Sequence, residues 1–103
     1  MRKPEKVAVW AYEFEECRKY IEKKHKVDIR NFAGKTYDPD NGKPYQDFWH
    51  SLNNWHGTYG DTLVMHAEIL EDEYHDMLDW ERTIYQWFID EFADEDGRID
   101  FWV

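Results

Sequence analysis

At 103 residues the chain has room for a single domain, residues 1–103, and for no second core. Six Trp, seven Tyr and six Phe let so small a domain draw stability from few residues, because each ring can bury about 150–250 Å². A net charge of −10 disfavours nucleic-acid phosphates and anionic membrane leaflets as partners, and no run of eighteen apolar residues is present to span a membrane.

The charge is laid out unevenly. Residues 1–30 hold nine Lys or Arg against six Asp or Glu, whereas residues 61–103 hold only Arg82 and Arg98 against fourteen acids. Part of the basic first third is expected to lie against the acidic last third, and the remainder leaves an acidic face that steers basic partners. A single cysteine, Cys17, allows no internal disulfide and suits a reducing compartment. Val7 to Tyr12 is too short for the apolar core of a signal peptide and is interrupted by Glu13, so a cytoplasmic location is expected.

In chain order, Val7, Trp10, Ala11, Phe14, Cys17 and Ile21 follow helical spacing, and Pro4 suits a first turn, so the pattern predicts a helix over about 5–25. Its stripe is about 120° wide, enough for one core contact and for Cys17 as a core residue. Arg18, Lys19, Lys23, Lys24 and Lys26 gather towards its end, where cations complement the helix dipole. Val27 to Gly34 reads as a short helical turn with Ile29 and Phe32 inward. The stretch TYDPDNGKPY reads as a hairpin or exposed loop. It is no calcium loop, since Gly42 comes one position early and no Glu stands at the twelfth.

Residues 45–56, YQDFWHSLNNWH, read as a helix with Pro44 at its start and Gly57 past its end. Tyr45, Phe48, Trp49, Leu52, Trp55 and His56 share an inward arc. Asp47, His50, Asn53 and Asn54 share the polar face, which is either a solvated surface or a ligand site.

Over about 62–69, Leu63, Met65, Ala67 and Ile69 alternate with Thr62, Val64, His66 and Glu68, the pattern of a half-buried strand. The same residues can open a long helix through Leu70, Tyr74 and Met77. Gly57, Gly60 and the β-branched Thr62 and Val64 favour the strand. A helix over about 76–93 follows, whose apolar residues sweep about 200°, twice what one core contact needs. Either it is sandwiched, or part of its face serves a partner or a second copy of the chain. Glu81 and Glu91 fall inside that arc and are expected to pair with basic residues of the first helix; the alternative is a catalytic carboxylate of raised pKa. A last strand over 98–103 alternates Ile99, Phe101 and Val103 with Arg98, Asp100 and Trp102. The two strands can pair beneath the helix, and a parallel pairing would make a right-handed crossover. Phe92 and Val103 exclude the DEDG run as a calcium loop. The sum is an α+β fold, mainly helical, with helices near 5–25, 45–56 and 76–93 and short strands near 62–69 and 98–103.

The run AGK at 33–35, YQDFWH at 45–50 and the tail DEFADEDGRIDFWV resemble a group of small uncharacterised proteins of tailed bacteriophages, over roughly residues 28–56 and 88–103. That group carries no assigned activity, so the resemblance implies a setting, a phage accessory protein in a bacterial cytoplasm, and no catalytic residue.

The sequence contains no GxSxG, glycine-rich phosphate loop, HExxH or CxxC. Its best catalytic constellation is a metal or acid–base set from His50, His66, Glu71 and His75, which would make a small-ligand site or hydrolase; a di-iron bundle would need two Glu-x-x-His pairs. The favoured reading is a cofactor-free binding protein that occupies a basic, nucleic-acid-binding site on a host protein. It would do so through Asp79, Trp80, Glu81, Trp87, Asp90, Glu91, Asp94, Glu95 and Asp96. A homo-oligomeric structural protein joined through a Trp80/Trp87 face is the third reading.

Overall fold

The computed structural model describes residues 2–7, 11–29, 57–59 and 62–102. The expected helix at 45–56, and with it Asp47, His50, Asn53 and Asn54, lies outside them.

The first helix, α1 (Phe14–His25), starts later than Pro4 suggests. Tyr12 and Glu13 form a two-residue strand, β1, whose backbone pairs with the end of the chain, and this places the helix start after them. Glu13 caps it: its carboxylate accepts from the N–H groups of Glu15 and Glu16, at 3.3 and 2.9 Å, satisfying two donors that a helix N-terminus leaves open. Lys26 ends it in the left-handed region, φ 56°. Of the expected stripe, Ala11, Phe14, Cys17 and Ile21 are buried, while Val7, ahead of the helix, is 62% exposed.

Strands β2 (Gly57–Tyr59) and β3 (Thr62–His66) form an antiparallel pair. The expected strand over 62–69 is a strand only as far as His66. There the imidazole Nδ1 accepts from the N–H of Glu68 at 3.0 Å and caps a short helix, α2 (Ala67–Asp72). A turn leads to α3 (Asp79–Phe92), and the chain ends in β4 (Arg98–Trp102).

The sheet order is β1-β4-β3-β2. The pairing of β3 with β4 is antiparallel, not the parallel crossover considered above. The reason lies in the path between them: α2 and α3 leave the sheet at His66 and return to it at Arg98, directly opposite, and the Ala67 N–H donates to the Gly97 carbonyl at 2.8 Å. An excursion that returns to the end it left can only feed an antiparallel neighbour.

The core lies between one face of this sheet and helices α1 and α3. Leu63 faces Phe101 and Met65 faces Ile99 across the β3–β4 ladder, as the period of two requires. Three rings from distant parts of the chain meet above them. Phe14 stacks on Phe88, with centroids 5.7 Å apart, and both present their planes edge-on to Phe101, at 5.3 and 5.9 Å. Such pairs add about 0.5–1.5 kcal/mol each beyond the area they bury. The wide apolar arc of α3 is therefore used inside the chain: Trp80, Ile84, Tyr85, Phe88 and Phe92 are all buried, and the helix is sandwiched.

Candidate functional site

What α3 leaves in solvent is a narrow polar edge, Asp79, Thr83, Gln86 and Asp90, spaced as one helical stripe. Beside it, α2 and the 73–78 turn form the other bank of an open groove of about 480 Å³. Leu70 and Tyr74 line it from that bank, and Arg82, Trp87 and the polar edge line it from α3.

Local hydrogen bonds hold the groove open. Arg82 Nη1 donates to the carbonyls of Tyr74, at 2.7 Å, and Met77, its Nη2 pairs with Asp79, and its guanidinium lies 4.7 Å from the centre of the Tyr74 ring. This clasp ties the 73–78 turn to the first turn of α3. Thr83 Oγ1 donates to the Asp79 carbonyl at 2.9 Å, and Gln86 Nε2 donates to Asp90 Oδ1 at 2.8 Å. Trp87 is half-buried, with one ring face stacked on His25 at 3.9 Å and 9°.

The nine residues expected to form a partner face do not share one surface. Trp80 and Glu81, 5% and 2% exposed, belong to the interior and are corrected out of that face, because the helix side that carries them is covered by the rest of the chain. Glu81 Oε1 accepts from the Leu78 N–H at 2.7 Å, so it caps its own helix, where Leu78 has no acceptor to offer. Glu91, the other arc carboxylate, pairs as expected with a basic residue of α1: Lys24 bonds it, and Lys3, ahead of the helix, lies 4.0 Å away. Asp94 is exposed but builds the turn into β4, its Oδ1 accepting from the N–H groups of Asp96 and Arg98 at 2.9 and 3.0 Å. The Arg98 bond is the chief cause that lowers the Asp94 pKa. Asp79, Trp87 and Asp90 line the groove, and Glu95 and Asp96 stand in solvent beyond its α3 end.

Among the described residues, His66, Glu71 and His75 do not come together as the expected catalytic set. His66 uses Nδ1 to cap α2, His75 is exposed with its ring edge-on to Tyr74, and His50 lies outside the described residues. Among the described residues no group of three or more His, Cys, Asp or Glu side chains is placed to hold a metal ion. Cys17 is fully buried, and burial together with Glu13 and Glu16 pushes its thiol up to about 12, so it is no nucleophile at neutral pH. Of the Trp80/Trp87 face that would join two copies, Trp80 is spent on the core, and Trp87 stacks on His25 while lining the groove.

Periodicity missed Tyr74, Arg82 and Gln86 as members of the groove. One signal was present: Arg82 is the only basic residue between 61 and 97, three residues after Asp79 on a helix. No helix among the described residues is long and apolar enough to cross a membrane. No protein-family model, curated protein or solved structure matches the chain.

Proposed function

We propose that the protein is a non-enzymatic binding module whose acidic α2–α3 side takes up a basic region of a partner protein. One observation carries this reading. Glu68, Glu71, Asp72, Asp76, Asp79 and Asp90 are exposed along that side, and the two basic residues of the same stretch are both engaged within the chain. Arg82 is held by Asp79 and the turn carbonyls, and Arg98 Nε donates to Asp100 at 2.6 Å. Among the described residues these acids outnumber the cations beside them, and the net negative field attracts cationic partners and repels phosphates. In the setting implied by the phage resemblance, the partner is a host protein in the bacterial cytoplasm, and the module competes with nucleic acid for its basic site.

The test is calorimetric titration against a defined cationic polypeptide, acetylated hexa-lysine, at low and high salt, followed by competition against duplex DNA on a basic DNA-binding protein. Binding that weakens steeply with salt and displaces DNA is expected. Salt-independent binding, or none at low salt, contradicts the reading.

A further inference from the structure

The groove already holds one arginine of this chain, and the manner of its holding defines what the groove recognises. Arg82 packs against the Tyr74 ring, donates to two carbonyls and pairs with Asp79. An aromatic face beside a carboxylate suits a planar guanidinium with its fork of donors better than the compact ammonium of lysine.

Further along α3 the same pairing recurs. Trp87 and Asp90 stand three residues apart, hence side by side on the helix, and both line the groove. Trp87 is steadied by its stack on His25. The carboxylate of Asp90 is oriented by Gln86, which bonds one oxygen, while Lys24, bonded to the adjacent Glu91, acts on Asp90 electrostatically.

We infer that the groove receives an arginine side chain from a basic segment of the partner protein, its guanidinium seated between Trp87 and Asp90. The inference rests on the acidic-side reading above and narrows it to one place and one residue type. Charge complementarity selects a cationic segment; the paired ring and carboxylate select arginine within it.

Acetylated hexa-arginine and hexa-lysine, titrated into the full chain at about physiological salt, separate the two levels. Hexa-arginine is expected to bind at least about fivefold more tightly, the size of one good exposed charge pair. Asp90→Asn is expected to erase most of that preference, whereas Glu95→Gln, which removes the same charge outside the groove, changes affinity less than about twofold. The Trp87 indole N–H resonance should shift with hexa-arginine and stay with hexa-lysine. Equal affinity for both peptides, or equal effects of the two variants, overturns the groove and leaves the acidic-side reading standing. Failure of both peptides to bind even at low salt removes both readings. A dimer in sedimentation that persists in excess hexa-arginine would assign the groove to a second copy of the chain, and so also overturn the inference.

Discussion

Cys17 and Tyr85, both fully buried, couple stability to alkaline pH. Burial pushes the Cys17 thiol from 9.0 to about 12 and the Tyr85 phenol from 10.0 to about 12. In each case the folded value lies above the unfolded one, so the unfolded chain releases its proton first. The stabilisation is complete below pH 9 and is lost as pH rises towards 12. The urea midpoint should therefore fall across that window, and Cys17→Ala should abolish the part that begins at pH 9 and keep the part that begins at pH 10. Tyr85 has a second duty, since its hydroxyl oxygen accepts from the His66 N–H at 3.1 Å where β3 gives way to α2. Glu81 is the clearest case of a residue whose charge suggests function and whose position assigns structure. Replacing it with Ala should cost about 1–3 kcal/mol in denaturant titrations, the loss of a cap plus a buried gap. Glu81→Gln, which keeps an acceptor for Leu78, should cost less.

At the level of elements, the unit from β3 through α2 and α3 to β4 is closed by a tight turn at residues 94–98. The Gly97 N–H donates to the Asp94 carbonyl and the Asp94 N–H to that of Arg98, both at 3.0 Å, while the Asp94 carboxylate holds the turn from the side. Gly97 has φ +81°, and a Cβ there would stand 3.0 Å from the Cβ of Ala67. Both features disfavour a side chain: the first strains an L residue, and the second presses on the start of α2. Gly97→Ala is expected to destabilise the protein by about 1–3 kcal/mol. Amide exchange should rise at Ala67, whose N–H bonds the Gly97 carbonyl, before it rises at Phe88 in the middle of α3. Uniform exchange at both sites would show that the turn is not the weak point.

On the scale of the whole molecule, the described ion pairs between the acidic side and the basic first third are those of Lys24, in α1, and Lys3, ahead of it, with Glu91. Both lysines are well exposed, so these pairs are screened and add little. With a net charge of −10, repulsion among the carboxylates is expected to outweigh these pairs. Moderate salt should raise the melting temperature while it weakens binding to a cationic partner. A melting temperature that falls with added salt would mean that the ion pairs outweigh the repulsion. The opposite signs of the two responses separate a surface kept acidic for binding from one balanced for stability.

The α+β class, the helix over 79–92 and the closing strand were legible in the sequence, because periods of 3.6 and 2 are written by neighbouring side chains and need no distant contact. Leu63 and Met65, and again Ile99 and Phe101, announced the faces of two strands, and Phe14, Cys17 and Ile21 the face of a helix. The end of β3 was not legible, since Ala67, Ile69 and Leu70 suit either period and the His66 cap is what selects the helix. Nor did the wheel of α3 reveal how many neighbours would cover it. That depended on Phe14 and Phe101 arriving from opposite ends of the chain to cover Phe88; Trp80 and Glu81 are buried as well, and the exposed residues of α3 are those of the Asp79–Asp90 edge. The groove with its arginine clasp is likewise a product of tertiary structure. Tyr74, Arg82 and Trp87 form no periodic pattern, and only the turn between α2 and α3 brings them to one surface.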